Sequence, residues 1–537
     1  MLYAKPTPNA APKDWKPLSM ADDRALAGVA AEVFAEYWQA ARPQMERMRV
    51  NDLYYRGEHW NLMGEGEPNE PRPHTPVLWS TVDNIHADLV EACPRAAVEA
   101  QTPEDAAKAE TVGGLMNSLI KRSGFRRTWA DMTAQIVRQG ADVLEVFWDG
   151  ALYGGLGDVG IQRWSMRNFL FDPLAERLDD SPAVIKFRFQ PLGELMALYP
   201  DRAEEFEGAG PYAPLGWGRA AGEPALVYDF WWRETETLED PKGLPCVRQG
   251  VYWCRVAGGQ VVARTPFAGA RQMSAYDHGR YPFVLAHYDR PEGSLWGLGV
   301  IDRFRGSQTL IDLADQMVLK NLMVSARNKL LVSDQAGIDM DALRDWRSDI
   351  IRGRDVSENA VRWFDKQPFA AGAQGFAQGK IAQMKAESGQ NEFNRGEAGH
   401  GVTAASAIAA LQEEGSKRSR KRVDALYAAV EEAFRLALAL MCQFYTEERQ
   451  YTQLTGDGPV RRTAGRGDFL TDDAGRMIDF DVTVHAEKAP GYRTAANNEQ
   501  AAQLFKAGMI DAETALELME FDRKAEVVQR MKGKRLG

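Results

Sequence analysis

Two glycine-rich stretches and a few clusters of basic or polar residues carry the side chains from which chemistry could be built. Gly155-Leu156-Gly157-Asp158-Val159-Gly160 satisfies GxGxxG, which cradles a dinucleotide pyrophosphate when a helix opens directly behind the glycines. Here Ile161-Gln162-Arg163-Trp164 follows and reads as a strand, so a hairpin tip is expected. Gly375-Phe376-Ala377-Gln378-Gly379-Lys380-Ile381 resembles the end of a Walker A loop. Its glycines are one residue too close, and Ile381 stands where Ser or Thr would hold magnesium. No ATP site is inferred, and any ATP-consuming step belongs to a partner. Tyr54-Tyr55-Arg56-Gly57-Glu58-His59-Trp60 sets Glu58 beside His59, but no second His or paired carboxylate sits near it in sequence. An aromatic packing corner is therefore the expectation.

The basic residues divide in the same way. Lys417-Arg418-Ser419-Arg420-Lys421-Arg422 puts five positive charges in six positions, which cannot share one helix face. A solvated collar or inter-subunit ion pairs is one reading, and phosphate contact the other. Arg461, Arg462 and Arg466 read as loop charges. Arg395 and His400 lie in a glycine-bearing loop and read as ordinary exposed residues. Ringed around a channel in several copies, they would instead form a circle of donors touching phosphates without reading bases. The four cysteines, Cys93, Cys246, Cys254 and Cys442, make no CxxC, and no His cluster completes a metal site. Reduced thiols are expected, with no metal and no cofactor.

The elements that must position these residues come from length and pattern. A chain of 537 residues, 45% hydrophobic, can bury two to four folded regions. Its 65 basic and 76 acidic side chains give a net charge of −11, which argues against tight nucleic-acid binding while leaving loose contact open. No stretch approaches the ~20 apolar residues of a membrane span, and residues 1–18 read as a flexible arm, so a soluble intracellular protein is expected. Helical patterns run over Met20 to Tyr55, with Pro43 a boundary or kink, then over Ser80 to Ala92, Pro103 to Arg122 and Arg126 to Gly140. Residues 142–290 are mostly β, with strands at Asp142 to Trp148, Ile161 to Trp164, Ala183 to Phe189, Ala225 to Trp232, Gly250 to Val256, Gln260 to Ala263 and Phe283 to Tyr288. A helix near Leu192 to Tyr199 interrupts them.

A long helix follows over Asp302 to Asn328, with Phe304, Ile311, Ala314, Val318, Leu322 and Ser325 on one stripe. After a compact insert ending near Pro368 come a helix from Phe376 to Phe393, an irregular loop from Asn394 to Val402, and a third helix capped by Thr403. That helix continues through Val430, Phe434 and Met441. A short β segment from Met477 to Val484 and small helices at Asn497 to Ala507 and Asp511 to Glu520 close the chain.

The order helix, insert, helix, glycine loop, helix resembles the core of tailed-bacteriophage portal proteins. Tyr55-Arg56-Gly57-Glu58-His59-Trp60, Asp83-Asn84-Ile85, Trp296-Gly297-Leu298-Gly299 and Gly401-Val402-Thr403-Ala404-Ala405-Ser406-Ala407 support the resemblance, which spans Met20 to Tyr445. It implies an α+β fold, mainly helical, with long stem and wing helices, a β-rich wing part and a small mixed α/β clip. The corresponding regions are an arm (1–18), a wing (19–297), a stem helix (298–329), a clip (330–369), a second stem helix (370–393), a tunnel loop (394–402), a wing helix with a β segment (403–490) and a crown (491–537).

What the resemblance implies for function is a non-enzymatic ring, usually of twelve subunits, at one capsid vertex, through which double-stranded DNA is packaged and ejected. Implied partners are further copies of the chain, DNA held without sequence preference, the terminase large subunit, the major capsid protein and head-to-tail adaptors, with assembly in the host cytoplasm. Asn394, Arg395, Glu397, His400, Lys380 and Lys385 are the expected channel residues, and Arg344, Arg347, Arg352 and Arg354 the expected motor-facing ones. A nucleotide-dependent α/β enzyme, or another virion component such as an adaptor, are the alternatives.

Overall fold

The computed structural model describes residues 17–64, 66, 70–202, 206, 224–239, 245–269, 271–326, 330–344, 349–355, 357, 360–363, 372–389, 417–455, 458–471, 477–486 and 491–519. In chain order the elements are α1 (Asp23–Arg56), α2 (Val77–Glu91), β1 (Pro94–Ala100), α3 (Ala106–Arg122), α4 (Phe125–Gln139), β2 (Ala141–Asp149), β3 (Asp158–Trp164), β4 (Phe169–Phe171), β5 (Ala183–Pro191) and α5 (Leu192–Leu198). Next come β6 (Pro224–Glu239), β7 (Pro245–Ala257), β8 (Gln260–Arg264), β9 (Phe267–Ala268), β10 (Arg271–Gln272), β11 (Phe283–His287) and the long α6 (Val300–Ala326). Then follow β12 (Leu330–Val332), α7 (Met340–Arg344), β13 (Val361–Trp363), α8 (Gly372–Ser388), α9 (Lys417–Phe444), β14 (Arg449–Thr455), β15 (Gly458–Ala464), β16 (Phe480–Ala486), α10 (Gly491–Lys506) and α11 (Ala512–Leu518). The fold class is α+β, as the resemblance implies.

One compact unit comprises residues 1–51, 82–302 and 398–537. Its centre is an antiparallel sheet in the order β4-β5-β6-β7-β8. Leu26, Phe34, Tyr37 and Ala41 of α1 pack on the sheet's Ile185, Phe187, Tyr228, Phe230, Trp232 and Tyr252. Their successive spacings of eight, three and four residues keep them on one helix face, which is why the sequence makes a helix here. Pro43 does not divide α1. It lies on the exposed side, where the carbonyl that its missing N–H leaves unpaired can meet water. A second sheet, β11-β2-β3, is overlaid by α9, whose Leu426, Val430, Phe434, Ala437 and Met441 are buried.

Three strands fall where the sequence suggests neither a strand, a β-rich region nor a mixed insert. β1 is rich in Ala and opens on Pro, a weak strand signal, and forms by pairing with β16 so that Val98 faces Val482. β14 and β15 make a hairpin that contains Arg461 and Arg462, so these are strand residues and not loop charges. Arg462 reaches Glu110 of α3 at 3.5 Å.

The entry to α6 is fixed by close backbone approach. Gly140 (φ +96°) closes α4, and a side chain there would strike the backbone of Gly297, as would the reverse. A Cβ on Gly299 would lie 2.6 Å from the carbonyl oxygen of Arg138. The Trp296-Gly297-Leu298-Gly299 phrase thus exists because two backbones touch. Beside it the part-buried Arg47 guanidinium donates to Asp302 and, at 2.9 Å, to the Gly297 carbonyl, while Asp302 also accepts from Asn51 Nδ2 at 3.0 Å and from the Gly299 amide at 2.9 Å.

The other unit comprises residues 52–81 and 303–397. It holds the body of α6, the antiparallel pair β12 and β13 with α7 between them, and α8. Gln308 and Asp312 of α6 are fully buried.

Two predictions follow from the larger unit. Gly297→Ala should lower stability toward the upper end of the roughly 1–3 kcal/mol typical of overpacking, because the obstructing atoms are backbone and cannot rotate away. Urea unfolding of the variant measures it. His278 is held neutral in the fold, its pKa pushed down to about 4 by burial and by the Arg280 charge. Its contribution is present above the unfolded value of about 6.5 and is lost as pH falls toward 4. Melting temperature should therefore drop across that window, and His278→Gln should make the drop shallower.

Candidate functional site

The GxGxxG stretch is the tip of the β2–β3 hairpin. Val146 pairs with Ile161 and Asp149 with Asp158, and the glycines are accounted for by packing. A side chain on Gly157 (φ +69°) would collide with the Trp148 ring, and one on Gly160 would meet Phe147. Carbonyls, not amides, are presented to the neighbouring charge. Arg449 donates to Gly157 O at 2.8 Å and to Leu156 O at 3.0 Å, with its guanidinium 3.7 Å over the Tyr445 ring. Asp158, almost fully buried, accepts from Arg122 at 2.9 Å and from the Tyr445 hydroxyl. A pyrophosphate needs donors, and this tip has turned acceptors toward an arginine.

Beside the hairpin a cavity of about 460 Å³ is lined by Trp148, Trp164, Trp231, Trp253 and Tyr276. Four of its charged side chains satisfy one another. Lys186 bridges Glu145 and Asp229, the latter at 3.4 Å, and Arg255 holds Asp229 at 2.6 Å.

The Walker-like glycines lie inside α8, a continuous helix that offers no phosphate loop. Lys380 donates to Gln383 at 3.0 Å and sits 5.9 Å over the Phe376 ring, and neither Lys380 nor Lys385 has an acidic partner among the described residues. Five residues apart on a helix, the two lysines point about 140° away from each other, so they cannot face one axis together. Asn394, Arg395, Glu397 and His400 lie outside the described residues, as does Arg347.

Arg344 is the last residue of α7, while Arg352 and Arg354 are exposed and converge on one turn. The Arg352 carbonyl accepts from the Asp339 amide at 3.0 Å, and the Ala336 carbonyl accepts from the Arg354 amide at 2.8 Å. Ile350 and Ile351 are exposed next to them, so this end of the insert is both apolar and basic. Of the Lys417 to Arg422 run, Lys421 is exposed and Arg422 lies 4.6 Å over the Tyr288 ring, which a collar of purely solvated charge would not include.

The Tyr54 to Trp60 corner is aromatic, and it is more than that. His59 is fully buried, stacked on Tyr54 at 4.7 Å and on Trp60 at 5.7 Å. Its Nε2 lies 3.0 Å from Asp312 Oδ2, and His74 Nδ1 lies 3.1 Å from the same oxygen. The expectation that no His cluster could complete a metal site is corrected here, since these three groups lie within 4.8 Å of one another. Asp312 Oδ1 accepts from the Thr75 amide at 2.9 Å, and Oδ2 from Gln308 Nε2 at 2.9 Å. Burial raises the Asp312 pKa, but contacts with His59, Gln308, Thr75 and His74 outweigh it and hold the carboxyl below its ordinary range. Gly57 (φ +74°) makes room for the His74 ring, whose edge lies 2.6 Å from where a Cβ would stand. Sequence reading found His59 and missed its partners because they come from a proline-rich loop and a distant helix.

A family model described as phage P22-like portal protein matches residues 31–536, nearly the whole chain. No curated protein matches the chain. Among the described residues no helix is long and apolar enough to cross a membrane.

Proposed function

From a chain that belongs to the P22-like phage portal protein family, we propose a structural ring subunit at the unique vertex of the capsid, enclosing the channel for double-stranded DNA. The near-full-length family match is the observation that carries this reading. In it, α6 and α8 are the stem (298–329 and 370–393), the β12–β13 insert is the clip (330–369), and residues 394–402 are the tunnel loop. Residues 19–297 and 403–490 form the wing, residues 491–537 the crown and residues 1–18 an arm. The exposed arginines Arg352 and Arg354, beside Ile350 and Ile351, suit the clip's contact with the terminase motor and later the adaptors. Arg344 and Arg347 join them in this reading.

Two features of α6 support a ring. Leu310 and Met317 are exposed on one side of the helix, and Leu319, Leu322 and Met323 are exposed roughly opposite them. A subunit in a closed ring meets a different surface of each of two neighbours, so it needs two separate apolar faces, whereas a twofold dimer needs one. Charge supports the conduit. Twelve copies at −11 each total −132, which leaves the bulk of the surface repelling DNA, and basic side chains such as Arg395, with one of Lys380 and Lys385 from α8, guide the duplex without gripping it.

Purified protein should image as rings with a central hole and twelvefold symmetry; a monodisperse monomer overturns the reading. Leu322→Ser should weaken each subunit contact by about 2 kcal/mol, roughly 30-fold, and shift the mass distribution from rings to smaller species. Arg395→Glu should leave rings intact but reduce the DNA retained in capsids, and unchanged packaged DNA counts against a channel role for that residue.

A further inference from the structure

We propose that His59, His74 and Asp312 form a transition-metal site, best suited to Zn²⁺, that fastens the segment following α1 to the long helix α6. The donor set is two imidazole nitrogens and one carboxylate oxygen, the mixture that zinc takes and that calcium or magnesium, which prefer oxygen alone, does not. Donor atoms around a tetrahedral zinc stand about 3.3 Å apart. Both histidines approach Asp312 Oδ2 at close to that spacing, 3.0 and 3.1 Å, and all three donors lie within 4.8 Å of one another.

A hydrogen-bonded cluster without metal accounts for these residues less well. Asp312 Oδ2 already accepts from Gln308 and faces both imidazoles as well, one more donor than its lone pairs hold comfortably. His59 is fully buried, yet neither of its ring nitrogens has an aligned hydrogen-bond partner among the described residues, although Nε2 lies 3.0 Å from Asp312 Oδ2. A buried imidazole nitrogen 3.0 Å from a carboxylate oxygen but not aligned for a hydrogen bond to it is what a cation bound by both, off the line between them, would explain.

The surroundings are built to hold the set in place. Tyr54 and Trp60 stack on His59, Gly57 leaves space for His74, and the Thr75 amide and Gln308 fix both oxygens of Asp312, the outer support that orients metal-bound carboxylates. His74 is about a quarter exposed, so a fourth position on its side is open to water or to another small ligand. Held this way, the ion would join the stretch after α1 to a helix residue 238 positions beyond His74, a structural role that does not depend on the ring reading.

Full-length protein equilibrated with zinc and then dialysed should carry about one ion per subunit by elemental analysis. Cobalt substitution should give the intense visible bands of a four-coordinate site. Added zinc should raise the melting temperature, and a chelator should reverse that. His74→Ala, at the partly exposed ligand, should keep the fold and lose the cobalt bands, and Gln308→Leu, at a positioning residue, should weaken zinc roughly 10- to 100-fold. Protein that binds no zinc and melts alike with zinc or chelator overturns the proposal. So does zinc retained undiminished in His74→Ala, since the metal is then elsewhere.

Discussion

The larger unit depends on how α6 is started. Asp302, in the first turn of that helix, is taken out of water and held by Arg47, Asn51 and the Gly299 amide, while Gly297 and Gly299 lie against the C-terminal turn of α4. A buried carboxylate is tolerable only with its charge paired and its lone pairs filled, and here both conditions are met. Were the glycines bulkier, the backbone could not come close enough for Arg47 to reach both the carboxylate and the Gly297 carbonyl. Packing and electrostatics are therefore one constraint, and it fixes where a helix of 27 residues begins.

How much of this was legible in the sequence depended on the range of the interactions. α9 was readable because its apolar residues repeat at helical spacing and bury one face, a property local to the helix. The β2–β3 hairpin was readable for the same reason, with alternation on both sides of a glycine turn. β1 was not, because nothing in Pro94 to Ala100 prefers a strand until β16 supplies a partner nearly four hundred residues later. The His59 cluster failed similarly. Its motif was visible, but His74 and Asp312 are 238 residues apart, and no periodicity connects a loop histidine to a helix carboxylate. Pro43 misled in the opposite direction, since a helix tolerates proline on a solvated face and sequence does not say which face is solvated.

The functional-looking motifs failed in a way that can be generalised. Glycine patterns are read as phosphate sites because glycine lets backbone amides approach a ligand. Glycine lets backbone approach anything, however. In the β2–β3 tip it admits Trp148 and Phe147, and before α6 it admits another stretch of main chain. What separates the cases is which backbone group points outward, and the Arg449 guanidinium on two carbonyls decides it here.

The polar interior and the apolar exterior of α6 belong to one physical account. Near its start the helix is anchored by polar groups, with Gln308 and Asp312 fully buried and hydrogen-bonded to Thr75 and to Leu78 in the first turn of α2. Farther along, Leu319, Leu322 and Met323 continue the face that Phe304, Ile311 and Asp312 bury upstream, yet they lie open. Exposed leucine and methionine at this density favour burial against something. A directional polar anchor at one end and non-directional apolar surface at the other let the helix be placed once by its own chain and still adapt to neighbours. That division of labour suits a subunit whose ring must close accurately, because the angle between copies can relax over apolar contact while the hydrogen-bonded root keeps each helix in register.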